Sequence, residues 1–380
     1  MMFTCVTPGC EQPGHYHPAM AASRKGPARA VRPKKHGQAV VRDRKGRSLR
    51  VDIHCHFLNS DAAARMAPLN PAQYEPQIKF ANALTREVNV KQMQERGPKL
   101  SSIELRLKDM DRMGVDIQAV SPAPQQTYYW AEPGLGLEVS RMINDRLAEI
   151  AAKWPDRFVG LGTVPLQNVE LAVGELERCV RQLGLRGVEI NPNVAGRDLT
   201  DPSLNLDRFF AKARELDIVV FMHPIGFTHA ERFMDHYFNN VIGNPLDTTV
   251  GAMRLIFDGV MERHPGLKIV LPHAGGFAAH YWARMDHAWR ARPDCRTVIK
   301  KAPTTYLKKF YFDTIAFDPQ MLRNLIDKYG PQQVLLGTDY PFDMGEEDPV
   351  GLIDSVPRLS AADKSRIMGE TAARLLKIRR

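Results

Sequence analysis

Ile218-Val219-Val220-Phe221-Met222-His223 is a run of five apolar residues closed by a histidine, with Pro224 directly behind it. So short and continuous an apolar run reads as a parallel strand buried on both faces, whose one polar side chain emerges at its end. The same form recurs further on. Ile269-Val270-Leu271 is followed by Pro272-His273-Ala274-Gly275-Gly276, and Leu335-Leu336-Gly337-Thr338 by Asp339-Tyr340-Pro341. Working outward in both directions, eight strands are predicted: Val51–Phe57, Asp116–Ser121, Arg157–Thr163, Arg186–Asn191, Ile218–His223, Leu267–His273, Lys309–Thr314 and Gln332–Thr338. Between them, apolar residues at helical spacing predict helices over Leu137–Lys153, Val169–Leu183, Leu206–Leu216, Pro245–Arg263 and Pro319–Lys328. Eight alternating strand–helix units predict an α/β fold, a closed (β/α)8 barrel of the TIM type, with room left for insertions. Two insertions are expected, Leu58–Leu100 after the first strand and Pro224–Asn244 after the fifth. An open doubly wound sheet would carry a glycine-rich phosphate loop behind its first strand, and none is present.

Charge separates the chain into two parts. Of its 380 residues, 1–50 hold 11 Lys and Arg against 2 Asp and Glu, whereas 51–380 hold 41 of each sign. The whole net charge of +9 therefore belongs to the N-terminal arm, which reads as solvated and extended. Residues 51–380 form the predicted catalytic body, and its balanced charge gives no nucleic-acid footprint. No apolar run approaches the roughly 20 residues that span a bilayer, and the first 20 do not read as a secretory signal. Five scattered cysteines fit reduced thiols in the cytoplasm better than a disulfide framework. Cys5, Cys10, His15 and His17 lie close together in the arm, but their spacing matches no zinc motif.

In Val51-Asp52-Ile53-His54-Cys55-His56, residues two apart on a strand share a face, so His54 and His56 point the same way. Alone that is modest evidence. The other candidates add weight: His223 ends the fifth strand, His273 the sixth and Asp339 the eighth. A barrel gathers all its strand ends at one rim, where five metal-capable side chains would meet. Three imidazoles and a carboxylate suit one divalent ion, Zn²⁺ first and Mn²⁺ as an alternative, which would lower the pKa of bound water towards about 7. His273 then reads as the acid–base group, with Asp339 sharing proton transfer.

These residues, with His273-Ala274-Gly275-Gly276, Leu336-Gly337-Thr338-Asp339-Tyr340-Pro341-Phe342 and Phe310-Tyr311-Phe312-Asp313-Thr314, resemble the amidohydrolase superfamily. The resemblance runs from about Val51 to the C-terminus. It is narrowest to the branch of 2-amino-3-carboxymuconate 6-semialdehyde decarboxylase and the metal-dependent hydroxybenzoate and carboxyvanillate decarboxylases. It implies that His54, His56, His223 and Asp339 are metal ligands and His273 an unligated acid–base residue. It also implies arginines on the substrate carboxylate: Arg284, lent by a neighbouring subunit, and Arg86 in the loop after the first strand. The expected activity is non-oxidative decarboxylation of an unsaturated or aromatic acid by a homodimer or higher oligomer, without an organic cofactor. The alternative is metal-dependent hydrolysis of a carbon–carbon bond, an amide or a lactone. Arg186-Gly187-Val188-Glu189-Ile190 offers no lysine to become a bridging carbamate, which argues against a two-metal hydrolase.

Overall fold

The computed structural model describes residues 48–378. Nearly all of the basic arm, with Cys5, Cys10, His15 and His17, lies outside the described residues. Eight parallel strands stand side by side in chain order: β1 (Val51–Phe57), β2 (Ile117–Pro122), β3 (Phe158–Gly162), β4 (Gly187–Ile190), β5 (Val219–Met222), β6 (Lys268–Leu271), β7 (Tyr311–Asp313) and β8 (Val334–Leu335). The segment after β8 returns to β1. Ile53 N–H donates to the Leu336 carbonyl at 2.9 Å, His56 N–H to Tyr340 at 2.8 Å and Asp339 N–H to His54 at 2.8 Å. With helices between the strands, this is a (β/α)8 barrel. All eight predicted strands are present: β1 keeps its predicted bounds, β2 is shifted by one residue, and the others are shorter, the last most of all, because Gly337 and Thr338 have left the strand.

Two expectations change in detail. The helix predicted over Pro245–Arg263 is two, Gly243–Phe257 and Val260–Arg263, divided at Gly259, whose φ of +81° a helix cannot continue. The insertion expected over Leu58–Leu100 is largely helical, with Ser60–Met66 and Ala83–Ser101 as its main helices. Asn59 and Asn82 are the caps of these helices, accepting from the N–H groups of Ala62 and Thr85. No helix among the described residues is long and apolar enough to cross a membrane.

The barrel interior is filled by alternate residues of the strands. Ile117, Ala119, Val159, Leu161, Val219, Phe221, Val270 and Leu335 form one cluster with Val51 and Ile53, while Val188, Val220, Met222, Ile269 and Leu271 pack outward under the helices. Ala372, Leu375 and Leu376 near the C-terminus join the inner cluster and seal the end away from the rim. On β1 the alternation slips. Its pairing with β2 runs from Asp52↔Gln118 to Cys55↔Val120, one residue more on β1 than on β2. Ile53 stays in the inner cluster, Cys55 and Phe57 join the outer one, and the extra residue brings His54 and His56 to the interior above Ile53.

Candidate metal centre

Each polar residue at the rim is placed by its own strand. His223 follows β5 directly and keeps the inward parity of Val219 and Phe221. Asp339 lies four residues beyond the end of β8 in a left-handed conformation, φ +56°. One atom each from His54, His56, His223 and Asp339 falls within 4.8 Å of all the others, and all four side chains are buried. His54 Nε2 is 3.1 Å from His56 Nε2, and Asp339 Oδ1 is 3.2 Å from both.

Hydrogen bonds turn the correct nitrogens inward. His54 Nδ1 donates to Asp313 Oδ2 at 2.7 Å, and His56 Nδ1 donates to the Pro122 carbonyl at 3.1 Å, leaving both Nε2 atoms facing the centre. Both ring nitrogens of His223 are buried without a hydrogen-bond partner, a costly arrangement unless a cation takes one of them. A set of one carboxylate and three imidazoles, with one imidazole otherwise orphaned, fits a single divalent cation.

The charges agree with that fit. Burial pushes His223 well below the usual histidine range, and the imidazoles of His56, His54 and His273 push the same way, so it stands neutral. Burial also lowers His56. For Asp339, burial acts upward but is outweighed by the charge of His54 and the hydrogen bonds of His273, His54 and His56, which hold the carboxyl well below its ordinary range. For His54, burial acts downward and is outweighed by Asp339 and Asp313, which carry it up to about 10.

Two outer groups hold these ligands in place, and neither was assigned a role from sequence. Asp313, at the end of β7, accepts from His54 Nδ1, from the N–H groups of His273 (2.9 Å) and Ala274 (2.7 Å), and from that of Ile315 (3.1 Å). Its carboxylate thereby ties β1 to the turn that carries His273. That turn has four successive residues at positive φ, His273 to Gly276, and a side chain on Gly276 would meet the Pro245 carbonyl at 2.5 Å. An acid closing an apolar strand is the same signal that marked Asp339. The second group lies outside the barrel. Asp52 accepts from Thr338 Oγ1 (2.7 Å), Gln118 Nε2 (2.9 Å) and the His54 N–H (3.0 Å), and the fully buried Arg106 donates to Gln118 and to the His56 carbonyl. Asp313→Asn is therefore expected to weaken metal affinity about 10- to 100-fold while the fold persists. A chelator-competition titration measures this, and unchanged affinity would remove Asp313 from the role.

His273 stands beside the group, its Nε2 3.6 Å from Asp339 Oδ2 and its Nδ1 buried without a partner. Glu189 points inward from β4, 3.6 Å from His56 Nδ1, and burial pushes its carboxyl up to about 8. Above lies a cavity of about 320 Å³ with His223 and Asp339 in its lining and Gln92, Met93, Tyr237 and Phe342 around them. Neither expected arginine reaches it. Arg86, on the helix Ala83–Ser101, and Arg284, on the helix Trp282–Ala291, are exposed, and no arginine or lysine among the described residues lines the cavity. Arg96, which sequence reasoning passed over, donates to the Pro341 and Phe342 carbonyls, both at 3.1 Å, bracing the segment behind Asp339.

A family model described as Amidohydrolase matches residues 51–378. The chain is 36% identical to a 2-amino-3-carboxymuconate-6-semialdehyde decarboxylase of Dictyostelium discoideum over 72% of its own length and 76% of that protein. Among solved structures it is similar to the 5-carboxyvanillate decarboxylase of Sphingomonas paucimobilis, with a TM-score of 0.77 and 26% identity, covering 87% of this chain and 100% of the other. It is also similar to a dihydroxybenzoic acid decarboxylase of Polaromonas sp. JS666 with bound manganese and 2-nitroresorcinol. There the TM-score is 0.74 at 25% identity, with 88% of this chain and 98% of the other covered.

Proposed function

The chain belongs to the Amidohydrolase family, and from that premise we propose that it is a metal-dependent, non-oxidative decarboxylase of an unsaturated or aromatic carboxylic acid. It is thus a carbon–carbon lyase whose substrate is of the aminocarboxymuconate-semialdehyde or hydroxybenzoate type. The observation that carries the reading is the buried group of His54, His56, His223 and Asp339, one donor atom each within 4.8 Å, beside a cavity of single-ring size. Zinc suits three imidazoles and a carboxylate, and manganese, the ion of the Polaromonas structure, is the alternative.

When bound, the ion supplies Lewis acidity towards the oxygens of the substrate. His54, His56, His223 and Asp339 hold it. Asp339 also lines the cavity, and His273 faces its second oxygen, so the pair can hold a proton and deliver it to the carbon bearing the carboxylate. Protonation there interrupts conjugation. The bond to the carboxylate then breaks, its electron pair restores the double-bond system, and CO₂ departs. One proton is consumed and nothing is oxidised, so no organic cofactor enters.

With no arginine or lysine among the described residues lining the cavity, the substrate carboxylate is assigned to the partner subunit's Arg284, with Arg86 as the weaker candidate. This calls for a homodimer. Leu84 and Val88, 67% and 51% exposed and one turn apart on the helix that carries Arg86, form an apolar strip suited to being covered. A cytoplasmic location accords with the free thiols of Cys55, Cys179 and Cys295. The test is a screen of muconate-type and hydroxylated aromatic acids against the metal-loaded protein. CO₂ release is expected, whereas two organic fragments formed with uptake of water would replace decarboxylation by hydrolysis.

A further inference from the structure

The insertions after β1 and β5 are tied to each other. Asn82, which caps the helix Ala83–Ser101, donates from its backbone N–H to the Met234 carbonyl (2.9 Å) and from its side chain to Asp235 Oδ1 (2.9 Å). Asn239 donates from Nδ2 to the Pro76 carbonyl (2.9 Å) and accepts from the Phe227 N–H (2.8 Å). Between these two anchors stand His236 and Tyr237, with φ of +55° and +60°. Two bulky residues in succession in the left-handed region are uncommon, and such a backbone persists only where its surroundings over-determine it. The ties on either side do so here, and they fix where the Tyr237 side chain goes.

It goes to the cavity that contains His223 and Asp339. Burial raises its hydroxyl above the ordinary tyrosine range, and the charges of Asp343 and Asp339, both in the same lining, push it the same way. The group therefore stands neutral with its proton in place. Among the described residues it finds no hydrogen-bond partner. A phenol aimed by a strained backbone, beside two acids and bonded to neither, keeps its donor free for a ligand.

We propose that Tyr237 is a substrate-binding residue whose hydroxyl donates a hydrogen bond to the carboxylate that the reaction removes. This rests on the decarboxylase reading and names one contact within it. Asp339 and His273 are assigned the proton for the carbon bearing that carboxylate, so a donor on Asp339's side of the cavity lies next to the carboxylate itself. The bond is charge-assisted. A carboxylate has about four lone-pair sites, which leaves room for the guanidinium of the partner subunit's Arg284. The negative charge that the hydroxyl meets is lost as CO₂ departs, so the contact strengthens binding without lowering the barrier. It serves monocarboxylic and dicarboxylic substrates alike.

The test uses the full, metal-loaded chain and Tyr237→Phe, which keeps the ring and removes only the hydroxyl. Because that hydroxyl has no partner among the described residues, metal content and melting temperature are expected to stay at the parent's values. The calorimetric Kd for benzoate, whose only polar group is its carboxylate, and that for 2,6-dihydroxybenzoate are both expected to rise about tenfold. On any screened acid that releases CO₂, KM should rise by a similar factor while kcat stays within about threefold. An unmoved Kd, a loss confined to 2,6-dihydroxybenzoate, or a loss in kcat at constant KM overturns the role of Tyr237. Reading binding apart from turnover separates the two failures. Tyr237-dependent binding with no CO₂ from any screened acid overturns the decarboxylase reading alone. CO₂ release with Tyr237-independent binding overturns the role of Tyr237 alone, and neither binding nor release overturns both.

Discussion

Asp339→Asn is expected to lower kcat by roughly 10⁴-fold, the upper end of what a positioned acid–base group contributes. The substitution keeps the side chain's shape and removes its charge. Asp339 Oδ1 lies 3.2 Å from two of the imidazoles and Oδ2 lies 3.6 Å from His273, so one carboxylate faces both the ion and the proton handler. An amide at this position cannot carry the proton and holds a cation less firmly. Assayed at saturating metal, the variant should lose kcat far more than it raises KM, the mark of a group acting in the transition state. Turnover within tenfold of the parent would end Asp339's proposed part in the chemistry.

His223→Ala is expected to strip the protein of its ion, with affinity falling by more than the roughly 10- to 100-fold typical of outer-sphere changes, and turnover falling with it. Metal content by elemental analysis and CO₂ release measure the two losses. A second readout separates a ligand from a merely structural histidine. In the metal-free protein the His223 nitrogens are buried without partners, an arrangement that costs about 1–3 kcal/mol. Removing the imidazole should therefore leave the metal-free melting temperature no lower than the parent's. A marked drop in that temperature, together with full metal content, would recast His223 as a packing residue.

The strands were legible because a parallel strand covered on both faces leaves an unbroken apolar run, and the five rim residues because each interrupts such a run at its end. His54, His56, His223 and Asp339 therefore came together as their positions implied. Other features depend on partners that local pattern does not contain. Asp313 meets His54 across 259 residues of chain, and Arg106 lies fully buried although its neighbours in sequence give a mostly polar helix. The helices after β1 were hidden by the asparagines that cap them. Arg86 and Arg284 lie exposed on their helices, and the role read for Arg284 depends on a neighbouring subunit, which a single chain does not contain.

The one-residue slip on β1 makes the centre separable from the barrel that holds it. Paired evenly with β2 along its whole length, β1 would keep Val51 and Ile53 at their places in the inner cluster. It would also rotate His54 and His56 into the helix layer. Such a chain would retain every histidine and aspartate of the rim, and any inventory of motif residues would count it as intact, yet two of its four candidate ligands would face the wrong way. In this barrel the capacity to bind an ion is encoded in the phase of one strand as much as in its composition.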